Sequence, residues 1–133
     1  MIFGIGIDLA DVKRFRKWVL NPEMIERYFN HSEVSQKRND YTERQLSSLC
    51  QHYAVRFAAK EAFSKALGTG ITFDLKDVYI IKNQEGKPTL VIENSAKKLL
   101  DEKCPNAIVH VSLTHEKEYA CAYVIIEKQT KAD

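Results

Sequence analysis

The stretch from Thr42 to Leu67 constrains this chain more than any other. Leu46, Leu49, Cys50, Tyr53 and Phe57 recur at the spacing of one helix face. Beyond Phe57, Ala58, Ala59, Ala62, Phe63, Ala66 and Leu67 leave little polar surface on any side of that helix. Thr42 with Gln45 three residues later is a capping-box pattern, so the helix is predicted to begin there. It should stop at Gly68-Thr69-Gly70, where glycine can turn left-handed and let another molecule approach the backbone. Glu61 is set into the apolar half, one turn after Phe57 and one turn before Lys65. An unpaired carboxylate in such surroundings is expensive, so it is expected to bind a cation, a metal or a hydrogen-bond donor. The simpler alternative is an ordinary i,i+4 salt bridge between Glu61 and Lys65.

A second carboxylate stands at the end of a predicted strand. In Met1 to Leu9, Phe3, Ile5, Ile7 and Leu9 alternate onto one face, and Ile2, Gly4, Gly6 and Asp8 onto the other. Glycine weakens a strand, and one reason to keep two is close approach of a ligand or another backbone. Asp8 closes that face; it is either a site residue or a cap for the helix that follows. A third segment, Ala107 to Leu113, alternates Ala107, Val109, Val111 and Leu113 against Ile108, His110, Ser112 and Thr114, with His115 next. Its polar face marks either a site or an exposed strand surface.

These segments, in this order, resemble the short holo-acyl-carrier-protein synthases, the 4′-phosphopantetheinyl transferases of fatty acid synthesis. The likeness rests on Gly4-Ile5-Gly6-Ile7-Asp8, on Arg56-Phe57-Ala58-Ala59-Lys60-Glu61-Ala62-Phe63-Ser64-Lys65-Ala66 with Gly68-Thr69-Gly70, and on His110-Val111-Ser112-Leu113-Thr114-His115. Gly86-Lys87-Pro88 also fits, and the likeness runs from Met1 to about Glu127. The longer phosphopantetheinyl transferases carry a second acidic residue two positions after the aspartate; here that position is Ala10. The resemblance therefore implies two protein carboxylates at the metal and the short, trimeric group.

The reaction so implied moves phosphopantetheine from coenzyme A to a serine of apo acyl carrier protein, with adenosine 3′,5′-bisphosphate leaving. Such a transfer needs charge neutralisation and alignment more than covalent catalysis. Magnesium (Mg2+) suits it, because it binds one or two carboxylates and takes further oxygens from water and substrate phosphates. Asp8 and Glu61 are the expected metal ligands and Lys65 the group that stabilises charge on the diphosphate. The base for the serine stays open between a water held by the metal and either carboxylate acting through water. By resemblance the coenzyme A contacts are Arg56, Lys65, Gly68, Thr69, Gly70, Lys87, Pro88, His110, Ser112, Thr114 and His115. Arg56 and His115 are the candidates for the 3′-phosphate, and the contacts lie partly on different subunits of a homotrimer. Lys13, Arg14, Arg16 and Lys17, with Phe15 and Trp18 interleaved, form a basic patch for an acidic carrier protein. Two rival readings are a non-catalytic coenzyme A or carrier-protein binding module, and a structural trimer in which Glu61 and Lys65 merely pair.

A chain of 133 residues makes one domain with room for a core. The expected division is 1–127 for the transferase domain and 128–133 for a polar tail. A net charge of +2 argues against a nucleic-acid partner, and no apolar run is long enough to span a membrane. Asp8 and Asp11 interrupt any signal-peptide pattern. Cys50, Cys104 and Cys121 are odd in number and lack metal spacing, which fits reduced thiols in a cytoplasmic protein. The remaining elements are predicted as short helices over Asp11–Leu20 and Pro22–Phe29, a polar loop from His31 to Tyr41 and a helix over Asn94–Lys103. Two hairpins are predicted, Asp77–Lys82 with Thr89–Glu93 and Ala107–Leu113 with Tyr119–Glu127. The fold class is α+β: a single domain with a mainly antiparallel sheet packed on one long helix.

Overall fold

In the computed structural model, which describes residues 1–35 and 40–130, the chain opens with strand β1 (Ile2–Asp11). A 3-10 turn (Val12–Phe15) and two short helices follow, α1 (Arg16–Val19) and α2 (Pro22–Tyr28). A second 3-10 turn (His31–Glu33) leads to the long helix α3 (Glu43–Leu67). After a third such turn (Leu75–Asp77) come the hairpin β2 (Val78–Lys82) and β3 (Pro88–Ile92), helix α4 (Asn94–Lys103), and the hairpin β4 (Ala107–His115) and β5 (Tyr119–Lys128). Residues 36–39 of the expected polar loop and 131–133 of the expected tail lie outside the described residues.

Helix α3 begins and ends where its sequence says it should. The Thr42 hydroxyl accepts from the Gln45 N–H at 3.1 Å, and the Gln45 side chain accepts from the Thr42 N–H at 2.9 Å. At the far end Gly68 takes φ 84°, the left-handed conformation that lets the last turn close. Ala54, Ala58, Ala59, Ala62 and Phe63 between them are fully buried.

A three-stranded antiparallel sheet, in the order β1-β5-β4, lies on one side of α3. Pairing of Gly6 with Val124 and of Asp8 with Ala122 puts Gly4, Gly6, Asp8 and Ala10 on the face that β5 lines with Ile126, Val124, Ala122 and Ala120. This face meets the helix, and the two glycines are what permits it. A Cβ on Gly4 would collide with the carbonyl oxygen of Ala66, and one on Gly6 with that of Ala62. The close approach is therefore made by the chain's own helix backbone. The apolar alternation of β1 points the other way: Phe3, Ile5, Ile7 and Leu9 are between 39% and 66% exposed. They share that open face with Cys121, Tyr123 and Ile125 of β5.

Two expectations fail nearby. The strand does not stop at Leu9 but pairs as far as Asp11 with Tyr119, and the Val12 N–H donates to Glu118 O at 2.9 Å. The helix expected over Asp11–Leu20 is consequently a 3-10 turn followed by one α-helical turn, and Asp11 rather than Asp8 caps it, accepting from the Lys13 N–H. Lys60 carries no expectation from the sequence. It is fully buried in the apolar half of α3, and its ammonium donates to Glu33 Oε1 at 2.7 Å, to Leu75 O at 2.9 Å and to Val78 O. This one side chain ties α3 to two 3-10 turns and to β2. A charge can be buried there because its three N–H groups all find oxygen.

Candidate active site

Asp8 and Lys65 meet across the β1–α3 contact that the glycines create. The Lys65 ammonium lies 3.0 Å from Asp8 Oδ1 and donates to Ile7 O at 3.0 Å. It thus crosses to β1 instead of pairing with Glu61 along its own helix, so the ordinary i,i+4 salt bridge is not what the helix builds. Glu61 stands on the same flank of α3. Partial burial, and after it the neighbouring Asp8 charge, push the Glu61 carboxyl above the usual carboxylate range; Lys65 and Arg14 act against this. Two carboxylates that repel each other thus stand beside two cations, Lys65 and Arg14, where β1 crosses α3.

That donor set fits magnesium. Among the described residues there is no cluster of three or more His, Cys, Asp or Glu side chains that could cage a metal alone. Magnesium does not need one, since two carboxylates with water and phosphate oxygens complete its shell. A divalent cation would also relieve the repulsion that raises Glu61.

Arg14 is held against a wall of rings, its guanidinium carbon 5.3 Å, 5.8 Å and 5.4 Å from the ring centres of Phe15, Trp18 and Phe57. Lys13 and Lys17 are exposed beside it. Arg16 is engaged elsewhere, gripping Glu43 in two-point fashion at 2.9 Å and 2.9 Å. It is the member of the basic patch whose charge is already matched within the chain.

Arg56 and His115 come together, but not with the carboxylates. They line a pocket of about 350 Å³ together with His52, Lys82, Gly86 and Pro88. Lys87 sits in the adjoining hairpin turn, its N–H donating to Asn83 Oδ1. Around the α3 axis Arg56 lies about 140° from Glu61 and about 180° from Lys65. Asp8 belongs to one edge strand of the sheet and His115 to the other. The predicted residues therefore form two groups on opposite flanks of one helix. Gly68, Thr69 and Gly70 lie at the end of α3, both glycines with positive φ and the Thr69 hydroxyl donating to Gly70 O at 2.9 Å.

His110, Ser112 and Thr114 join neither group within the chain. Register with Ile125, Tyr123 and Cys121 puts them on the open face of the sheet, opposite to His115, where His110 Nε2 lies 3.3 Å from Glu127 Oε1. His52 and Lys82 went unnoticed in the sequence. The four-residue spacing Ser48–His52–Arg56, a polar stripe on an otherwise apolar helix, was the signal that would have found His52.

The profile of the 4′-phosphopantetheinyl transferase superfamily matches residues 4–124. The holo-acyl-carrier-protein synthase of Treponema denticola is 44% identical over 128 residues, covering 96% of this chain and 99% of its own. That of Bacillus subtilis is 42% identical and covers 96% and 98%. Among solved structures, a holo-acyl-carrier-protein synthase from Bacillus anthracis in complex with coenzyme A (3′,5′-ADP) superposes with a TM-score of 0.74. It is 33% identical and covers 97% of this chain and 99% of its own. The three segments that carry Asp8, Glu61 with Lys65, and His115 all fall within the matched span, and the chain belongs to the 4′-phosphopantetheinyl transferase superfamily, among its holo-acyl-carrier-protein synthases.

Proposed function

We propose that the chain transfers 4′-phosphopantetheine from coenzyme A to the serine hydroxyl of an apo acyl carrier protein, with magnesium, releasing adenosine 3′,5′-bisphosphate. The observation that carries this reading is the convergence of Asp8, Glu61 and Lys65 where β1 crosses α3. In the transfer the serine oxygen bonds to the β-phosphorus of the diphosphate, and the bond from that phosphorus to the bridging oxygen breaks. The negative charge goes with the leaving nucleotide, and the serine proton passes to a base. Magnesium, when held by Asp8 and Glu61, supplies neutralising charge on the diphosphate. Asp8 holds Lys65 in place, and Lys65, half exposed, turns an N–H toward an incoming phosphate oxygen. A water held by the metal, or Asp8 or Glu61 acting through a water, can take the serine proton.

The nucleotide end of coenzyme A belongs to the second group, with its 3′-phosphate between Arg56 and His115 and the Gly86-Lys87-Pro88 turn beside it. Gly68, Thr69 and Gly70 would meet the diphosphate region. Because the two groups lie on opposite flanks of α3, one copy contributes the carboxylates and a neighbouring copy the Arg56 pocket. A homotrimer closed through the open faces of β1 and β5 meets that need. It would also bring His110, Ser112 and Thr114 to a subunit boundary. An acidic carrier protein would dock on Lys13, Arg14 and Lys17, Arg14 being pre-set by its rings, with Arg16 contributing less while it holds Glu43. Residues 1–127 would act as the one transferase domain. Free thiols at Cys50, Cys104 and Cys121 suit a cytoplasmic enzyme, and no helix among the described residues is long and apolar enough to cross a membrane.

The test is intact-mass analysis of apo acyl carrier protein after incubation with the chain, coenzyme A and magnesium. A gain of one phosphopantetheine, lost on chelation of the metal, is the expected result. An unmodified carrier under conditions where a known synthase completes the reaction would refute the reading.

A further inference from the structure

The Arg56 pocket is lined by cations and by neutral polar groups, Ser48, Gln51, His52 and His115, and of these His52 has a ring nitrogen tied to a backbone carbonyl. Arg56 and Lys82 are cations, suited to phosphate but blind to which nucleotide carries it. His52 is one helical turn before Arg56 and lines the same pocket. Its Nε2 lies 2.7 Å from the carbonyl oxygen of Glu33. A carbonyl can only accept, so Nε2 carries the hydrogen and Nδ1 of the neutral ring is left as a lone-pair acceptor. The surroundings keep the ring neutral. Burial first, and then the Arg56 and Lys82 charges, lower its pKa to about 4, while the bond to Glu33 works the other way.

Among the described residues no hydrogen bond engages Nδ1, and none of their side-chain polar atoms is both buried and unpartnered, so this nitrogen keeps some contact with solvent in a residue that lines the pocket. The ring is fixed from behind by a turn that is itself pinned. Asn30 and Glu33 close a capping box there, and the Glu33 carboxylate holds the buried Lys60. Arg56 Nη1 in turn donates to His52 O at 3.2 Å, so acceptor and cation keep a set spacing.

We propose that His52 is a specificity-determining residue of the nucleotide pocket, its Nδ1 accepting a hydrogen bond from a neutral donor of the nucleotide whose phosphate lies against Arg56. This rests on the reading of the Arg56 pocket as the seat of coenzyme A's nucleotide end. That nucleotide offers two such donors, the exocyclic amine of the base and the ribose 2′-hydroxyl. Phosphate contacts supply most of the affinity, and the bond to His52 supplies discrimination. A ligand that lacks the donor leaves a desolvated acceptor unpaired and is rejected by about five- to tenfold.

Calorimetric binding of adenosine 3′,5′-bisphosphate, its inosine counterpart and its 2′-deoxy counterpart tests this with the intact chain. Wild type should bind one of the two analogues about five- to tenfold more weakly; a weaker inosine form identifies the amine, a weaker deoxy form the hydroxyl. His52→Phe keeps ring volume but has no acceptor and should erase that preference. His52→Gln can donate to Glu33 and still accept, and should retain most of it. A change that only loosened the fold would weaken all three ligands alike, and thermal melts of each variant check that it is folded. If wild type binds all three equally, or if its preference survives in a folded His52→Phe variant, the assignment of His52 is overturned while the nucleotide site stands. If none of the three binds, the reading of the pocket falls and the role of His52 with it.

Discussion

Asp8 and Glu61 differ in what surrounds them, and that difference predicts how their removal behaves. Asp8 is paired with a half-exposed Lys65, whereas Glu61 is partly buried and repelled by Asp8. Breaking the exposed pair costs about 1 kcal/mol or less, and removing Glu61 relieves a repulsion. Asp8→Ala and Glu61→Ala should therefore melt close to wild type while losing carrier-protein modification by at least about a thousandfold. Activity near wild type in either variant, with magnesium present, would remove these residues from the metal. His52 makes a prediction about acid. Its pKa is about 4 in the folded chain against an ordinary 6.5. The stability it contributes is therefore complete above pH 6.5 and is lost as pH falls from there toward 4, because the unfolded chain takes up the proton first. Wild type should lose melting temperature over that window faster than His52→Gln, and parallel curves for the two would contradict the buried, neutral ring.

At the scale of elements, the junction of β1 with α3 does most to build the site, and Gly6 is one of its two tightest points. A methyl there meets the Ala62 carbonyl, a backbone atom that cannot swing aside. Gly6→Ala should cost about 3 kcal/mol or more in a denaturant titration and weaken transfer in whatever folds, since β1 must lift and carry Asp8 away from Lys65; a fully stable, fully active variant would show that the strand can stand off. The elements themselves were largely legible. Capping residues mark the ends of α3, and the alternation of β4 and β5 and the Gly86 turn mark their hairpins. The short helix after β1 misled because Val12, Phe15 and Val19 fit a helical face, while the Val12 bond to Glu118 that extends the strand is a tertiary contact absent from local pattern. Lys60 was illegible for a similar reason. In a run of good helix formers it looks like any solvated lysine, and its partner Glu33 is 27 residues away. Of the site, motif and spacing brought out the Asp8–Glu61–Lys65 group. They could not show that Lys65 turns to Asp8, nor that His115 and His110 leave β4 on opposite faces.

At the scale of the molecule, the decisive fact is the separation of the two groups by the girth of α3, together with an apolar sheet face left open in the single chain. Phe3, Ile5, Ile7 and Leu9 are costly to leave in water, and covering them with another copy would be favourable. In a ring closed by one repeated head-to-tail contact, each boundary joins the carboxylate flank of one copy to the Arg56 flank of the next. Transfer at such a boundary, as proposed above, is what complementation measures directly. Glu61→Ala loses one half of the site and Arg56→Ala the other, so at low coenzyme A each variant alone should be nearly inactive on apo acyl carrier protein. Co-expressed and assembled together at equal levels, they should recover roughly a quarter of the wild-type activity per site, the share of boundaries at which both intact halves meet. A mixed assembly no more active than its parents would contradict a site shared between copies.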